Sequence, residues 1–273
     1  MILLLTPFSI SFAAPPQRIV ATSPSVTETL FALGLGDRVI GVCDHCGDPP
    51  QALAKARIGP AFGPNLDAIA LLHPDLVVIP ANPSRLADRL GAMRLRALEV
   101  DQHDLNALYS SLFAIGAATE AGPQAAALTQ SMRARIERVR ARAAGLTKVR
   151  TLAILGRTPQ QLDGLIAAGP GSYVDELLAA AGGKNVIHDA PPQTLITLQQ
   201  VIDVNPDVIL DLAPENTPAN QSSVMALWQT LASAPAIQRD RIFPISGSVF
   251  LVPGPRSAEA AERLFQLLHP DAR

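Results

Sequence analysis

The chain of 273 residues is 48% hydrophobic and 17% charged, which is enough apolar material for a sizeable core and excludes a disordered polymer. Lys and Arg number 22 against 24 Asp and Glu, a formal charge of −2, so the chain lacks the basic footprint of a nucleic-acid binder. Its two cysteines, Cys43 and Cys46, exclude a disulfide-built scaffold and any metal centre made of cysteine alone.

Residues 2–12 form an apolar run of signal-peptide length, and Ser11-Phe12-Ala13 offers small residues to a signal peptidase. Residues 1–14 therefore read as a signal peptide cleaved near Ala13-Ala14, with export to the periplasm; a buried first strand is the alternative. The run is too short to cross a bilayer, and no later uncharged stretch approaches about 20 residues, so the exported protein is expected to be soluble.

After this segment, residues 18–22 are β-rich. Ser25 and Glu28 have the spacing of a capping box, which predicts a helix over 26–33 stopped by Gly34. Residues 38–42 are again apolar and β-branched, a β–α–β rhythm that implies a parallel sheet. An amphipathic helix over 66–72 runs into His73-Pro74-Asp75, a turn that launches the buried strand 76–79. Leu128, Met132, Ile136, Val139, Ala143 and Leu146 recur at helical steps and draw one apolar stripe. They predict a single helix over 124–146, about 35 Å long. Arg133, Arg135, Arg138, Arg140 and Arg142 on it read either as an anion-binding stripe or as a solvated face whose stems cover apolar surface.

The second half repeats the grammar. Ser172 caps a helix that ends at Gly182 and is followed by a strand over 185–187, and a helix over 195–204 runs into Asn205-Pro206-Asp207 and the strand 208–211. Pro74 and Pro206 stand 132 positions apart. The expected fold is α/β, with two Rossmann-like lobes of parallel sheet, 17–122 and 147–273, joined by one long interdomain helix over 123–146.

The series Arg18-Ile-Val-Ala-Thr-Ser-Pro-Ser-Val-Thr-Glu28, Leu33-Gly-Leu-Gly-Asp-Arg-Val-Ile-Gly-Val42, Pro49-Pro50, Gly59, Pro64-Asn-Leu-Asp67 and Pro74-Asp75 continues in Gly169-Pro-Gly-Ser-Tyr173, Ala181-Gly-Gly-Lys-Asn-Val186 and Pro253-Gly-Pro-Arg256. In order and spacing it resembles the periplasmic solute-binding proteins that serve importers of cobalamin, haem and iron siderophores, from about residue 17 to the C-terminus. The resemblance implies one ligand held in a cleft between the lobes. It also implies delivery to an ABC permease dimer with a cytoplasmic ATPase by a monomer that holds no permanent cofactor and is no enzyme. The transported ligand is then a cobalt or iron chelate, cobalamin or a related corrinoid first, haem or a ferric siderophore second.

In doubly wound sheets ligands lie beyond the carboxyl ends of the strands. The densest chemistry there is Cys43-Asp44-His45-Cys46-Gly47-Asp48, which admits three readings. The thiols could pair with each other; they could join His45 around zinc or copper(I), making a metal carrier or metalloenzyme; or His45, at the position of a ligand-facing aromatic in the cobalamin-binding relatives, could contact the ligand or coordinate its metal axially. A histidine serving only its own loop is the plain alternative. Phe62 and Phe250 are the expected flat walls, and Asn65 and Arg157 the expected polar anchors. Ordinary packing is the alternative for each, with Asn65 equally suited to cap the following helix. Arg256 reads as an ion-pair partner. Where cobalamin-binding relatives carry Trp, this chain has Ala61 or Phe62 and Pro191, and Ser248 and Val252 replace charged residues of the last cleft loop.

Docking on a permease calls for exposed carboxylates, Glu215 in the second lobe and Asp88 in the first; a solvated side chain is the alternative for both. Enzyme motifs are missing: Gly169-Pro-Gly-Ser172 looks like a phosphate loop opening on a helix, but Gly183-Lys-Asn185 lacks both the Ser or Thr and the upstream Gly of a nucleotide-binding loop, and there is no Gly-x-Ser-x-Gly and no His-Glu-x-x-His.

Overall fold

Ile19, Val20 and Ala21 are wholly buried and make β1 (Ile19–Ala21). The chain then turns at Ser23, whose hydroxyl accepts from the Val26 amide at 3.3 Å, and α1 (Pro24–Ala32) starts with proline in its first turn, where a missing N–H costs nothing. The sequence placed this cap at Ser25 with Glu28 as its reciprocal partner. Instead Ser25 donates to Gln102 at 2.6 Å and Glu28 turns outward to Arg256. Gly34, at φ +77°, stops the helix as expected. These coordinates come from a computed structural model that describes residues 14–81, 85–214, 216–231, 235–245 and 248–272. Of the expected signal peptide, all but Ala14 lies outside the described residues.

β2 (Val39–Val42), β3 (Ala56–Arg57), α2 (Leu66–Leu71), β4 (Leu76–Pro80), α3 (Leu86–Ala92) and β5 (Ala97–Val100) complete the first half. Its sheet has the order β3-β2-β1-β4-β5 with every pair parallel. A helical pair follows, α4 (Leu105–Thr119) and α5 (Gly122–Ala143). The second half contains β6 (Val149–Gly156), β7 (Leu165–Ala168), α6 (Tyr173–Ala180), β8 (Gly183–Asn185), β9 (Gln193–Ile196), α7 (Leu198–Val204), β10 (Val208–Asp211), α8 (Gln221–Gln229), α9 (Pro235–Gln238), β11 (Ile242–Pro244) and α10 (Ser257–Leu268). Its sheet runs β11-β10-β6-β7-β9 with β8 also on β6.

This second sheet departs from the all-parallel expectation, because β7 pairs antiparallel with both β6 and β9. The segment 157–164 returns the chain directly, with no crossover helix, so β7 must run backwards. The helix expected over 195–204 is shortened for the same reason. Leu195 is taken into β9, and Thr197 caps α7 in a full capping box with Gln200.

The duplication extends to single hydrogen bonds. Arg18 donates to the Leu72 carbonyl and Arg150 to the Val204 carbonyl, in both cases across 54 positions. The Asp75 amide donates to Arg18 and the Asp207 amide to Arg150. His73 and Asn205, which precede the paired prolines, both lie in the left-handed region, at φ +45° and +46°.

The long helix expected at the join is α5, and α4 pairs with it as a hairpin. Ile115 of α4 and Ala121 and Ala125 beside it belong to the first half's core, whereas Leu105, Leu108 and Leu112 of α4 and Met132, Ile136 and Val139 of α5 belong to the second half's core. Both helices therefore tie the two cores together. Gly116 permits this: a Cβ there would lie 2.6 Å from the Ala125 Cβ and 3.1 Å from the Ala121 carbonyl oxygen. The arginines on α5 are engaged locally. Arg135 binds Glu262 of α10 through two hydrogen bonds, Arg140 binds Glu137, and Arg133 and Arg142 cover the rings of Tyr109 and Phe265.

Candidate functional site

The carboxyl end of the first sheet carries the turn after β2. There the two cysteines are bonded to one another, with Cα atoms 5.1 Å apart, and both are wholly buried. This corrects the expectation of a Cys43–His45–Cys46 metal site: sulfurs joined to each other offer no thiolate to a metal. Among the described residues no group of three or more His, Cys, Asp or Glu is placed to hold one. The turn is fixed from several sides. The Asp44 amide donates to Gly59 at 2.9 Å, the Cys46 amide to Cys43 at 3.0 Å, and Arg57 Nη1 donates to the carbonyls of Cys43 at 2.8 Å and Cys46 at 3.1 Å. His45, at the centre of this turn, is exposed.

The loop from β3 to α2 brings Phe62 to the same end of the sheet, 91% exposed between two glycines with positive φ, Gly59 at +91° and Gly63 at +93°. Asn65 is the cap of α2, its Oδ1 accepting from the Ala68 amide at 3.0 Å. That carbonyl oxygen is therefore committed to the helix start.

In the second sheet the expected anchors are not where the sequence put them. Arg157 follows β6, but its guanidinium is wholly buried: Nε donates to Asp211 at 2.8 Å, Nη2 to Asn216 at 2.8 Å, and Trp228 Nε1 also reaches Asp211 at 2.8 Å. Asp211 ends β10, the neighbouring strand, so the nearest carboxylate captures the arginine inside the lobe. Phe250 is likewise no exposed wall. It is only 2% exposed and packs in the core with Val249 and Leu264, because the short turn containing it faces α10.

Two exposed apolar residues that the sequence reading did not single out lie at this end of the sheet. Ile166 is 36% exposed and Leu195 72%, and they are cross-strand partners in β7 and β9. Ile166 also pairs with Gly156 at the last position of β6, which places this aliphatic pair at the carboxyl end of the second sheet. Residues 165–168 are all apolar and gave no sign that Ile166 would face outward, and Leu195 was hidden by the apparent helix.

The halves meet through charge. Arg256, just before α10, donates to Glu28 of α1 through Nε at 2.9 Å and through Nη2, and lies 3.2 Å from Asp48, which follows the disulfide turn. Glu28 is 5% exposed. Burial raises its carboxyl above the ordinary range although Arg256 pulls the other way. A groove of about 700 Å³ beside this contact runs along α1 past Phe31 and Lys55. It is a side groove, lined by none of His45, Phe62, Ile166 and Leu195. Of the expected docking carboxylates, Asp88 is exposed on α3 and paired with Arg85 at 2.7 Å, and Glu215 lies outside the described residues.

The family model described as "Periplasmic binding protein" matches residues 19–248. The vitamin B12-binding protein of Vibrio cholerae is 28% identical over 268 residues, covering 96% of this chain and 92% of that protein. Among solved structures, the periplasmic vitamin B12-binding protein of Vibrio cholerae superposes with a TM-score of 0.79 at 25% identity, covering 94% of this chain and 98% of the other. A periplasmic haem-binding protein from Roseiflexus sp. RS-1, in its apo form, gives 0.81 at 26% identity, covering 94% and 99%.

Proposed function

The chain belongs to the periplasmic binding protein family, and from that membership we propose that it carries cobalamin or a related corrinoid, held in the cleft between its sheets, to an ABC importer. Its family, that of binders of cobalamin, haem and siderophores, consists of substrate-binding proteins and not of enzymes. Its working place is the periplasm, its partner a permease dimer with a cytoplasmic ATPase, and it acts as a monomer. Permease docking uses Glu215 and Asp88.

The observation that carries the ligand reading is the setting of His45. Its imidazole is exposed and takes up no side-chain hydrogen bond among the described residues, while the backbone around it is fixed. A neutral imidazole on a fixed turn can coordinate the metal of a chelate or hydrogen-bond to its periphery. The apolar contributions come from Phe62 on the first side and from Ile166 and Leu195 on the second, flat or aliphatic surfaces suited to a broad macrocycle. Haem is the second reading, favoured by that same imidazole, a side chain that ligates haem iron.

Titrating the purified protein with cyanocobalamin, haemin and a ferric siderophore, followed in the visible spectrum, tests the proposal. Saturable one-to-one uptake of cyanocobalamin, weakened about tenfold in His45→Ala, supports it. Preference for haemin moves the assignment to the second reading, and uptake of none of the three refutes both.

A further inference from the structure

The Cys43–Cys46 disulfide has no part in the function just described, yet it closes the turn whose apex is His45. Three fixtures converge on these few residues. The disulfide joins the ends of the turn. The Arg57 guanidinium gathers the carbonyls of both cysteines from one nitrogen. Asp48, two residues on, is held by Arg256 from the other half of the molecule at 3.2 Å. Both cysteines are wholly buried, so the bond is not presented for exchange with external thiols. A structure this tightly held around an exposed imidazole resembles a pedestal more than a redox centre.

We propose that the Cys43–Cys46 disulfide is a positioning element for ligand capture, which with Arg57 holds the His45 imidazole at one place at the carboxyl end of the first sheet. The inference rests on the reading that His45 meets the ligand. Its physical basis is preorganisation: an imidazole on a free four-residue loop loses conformational freedom when it binds, whereas one on a closed turn has lost it already. Removal of the disulfide then affects binding through His45 and through no other group.

The test is a mutant cycle read by binding and by hydrogen exchange. Cys43→Ser/Cys46→Ser, His45→Ala and the triple variant are titrated with haemin and with cyanocobalamin, and folding is checked by circular dichroism. The disulfide-free protein is expected to bind about tenfold more weakly, as His45→Ala does, and the triple variant no more weakly than either. Losses that multiply in the triple variant, or wild-type affinity without the disulfide, overturn the inference. Arg57→Ala keeps the disulfide and is expected to weaken binding in the same His45-dependent way, which covers the case in which the cysteine variant fails to fold. Amide exchange at Cys46 and Gly47 separates this inference from the ligand assignment. These amides are hydrogen-bonded within the turn and should exchange at least tenfold faster without the disulfide. If wild-type protein binds neither probe, the proposed function falls on that result alone, and unchanged exchange at these two amides overturns the pedestal independently.

Discussion

The turn after β2 and the turn after β6 leave their sheets at the same edge, yet they treat their polar side chains in opposite ways. In the first, the backbone is pinned by a disulfide and by Arg57, and His45 is left facing solvent. In the second, Arg157 folds inward and is consumed by Asp211, Asn216 and, through Asp211, Trp228. The difference lies in the neighbouring strand. β10 ends in a buried aspartate, whereas Ala21, Thr22 and Ser23 at the end of β1 offer no charge. A position at a strand's carboxyl end therefore does not suffice for ligand contact: the side chain must also lack a buried partner.

The largest effect should come from breaking the second turn. Asp211→Ala leaves a buried guanidinium without its carboxylate and strips Trp228 and Asn216 of a shared acceptor. The expected loss is about 3–5 kcal/mol in urea unfolding, and a loss under about 1 kcal/mol would mean that the network is not built as described. Trp228→Phe deletes one hydrogen bond to a charged group and leaves the space of the second indole ring unfilled in the core, so about 2–4 kcal/mol is expected by the same measurement. His45→Ala, in contrast, should leave stability within about 0.5 kcal/mol of wild type, because the imidazole is exposed and makes no side-chain hydrogen bond among the described residues. That contrast separates a side chain kept for the molecule from one kept for its ligand.

Much of this was legible in the residues themselves. The Pro-Asp turns, the Ser172 cap and the α5 stripe follow from local chemistry, and the turns keep their offset of 132 positions down to Arg18 and Arg150. What was not legible depended on distant partners. Nothing near Arg157 announces that Asp211, 54 positions on, will neutralise it. Ser25 and Glu28 have the spacing of a local cap, but Gln102 and Arg256 supply stronger partners from elsewhere in the chain. The antiparallel return of β7 is a property of loop length, and it placed Ile166 and Leu195 at the carboxyl end of the second sheet while both read as ordinary element residues.

Between the two extremes lies the pair that joins the halves. Glu28 is nearly buried and Arg256 about a third exposed, so Arg256→Met should cost about 1–3 kcal/mol, less than Asp211→Ala. Burial holds the Glu28 carboxyl above its ordinary value of 4.5 in the folded protein. The folded state thus keeps this proton to a higher pH than the unfolded chain does, and the group's contribution to stability falls as pH rises through the range just above 4.5. Unfolding measured between about pH 4 and 7 should show that decline in wild type, show it more steeply in Arg256→Met, and lose it in Glu28→Gln. A decline that survives Glu28→Gln would assign it to another carboxyl.

The smallest pH-dependent effect belongs to the exposed counterpart of these pairs. His103, in the segment between β5 and α4, bonds Asp101 through Nδ1 at 2.8 Å and approaches Asp104 through Nε2 at 3.2 Å, with most of its ring in water. The Asp101 hydrogen bond raises its pKa above 6.5. A raised histidine stabilises fully below the unfolded value, and the contribution disappears as pH climbs through the folded one, the reverse of a salt-bridged carboxylate whose contribution is lost on acidification. Because the pair is exposed and screened, the whole effect should stay under about 1 kcal/mol and shrink in high salt. Thermal unfolding of His103→Gln against wild type should differ below about pH 6.5 and converge as pH rises past the raised folded value. A difference that persists at high pH would mean that the neutral imidazole still contributes through its hydrogen bond to Asp101 and that charge is not the whole of the effect.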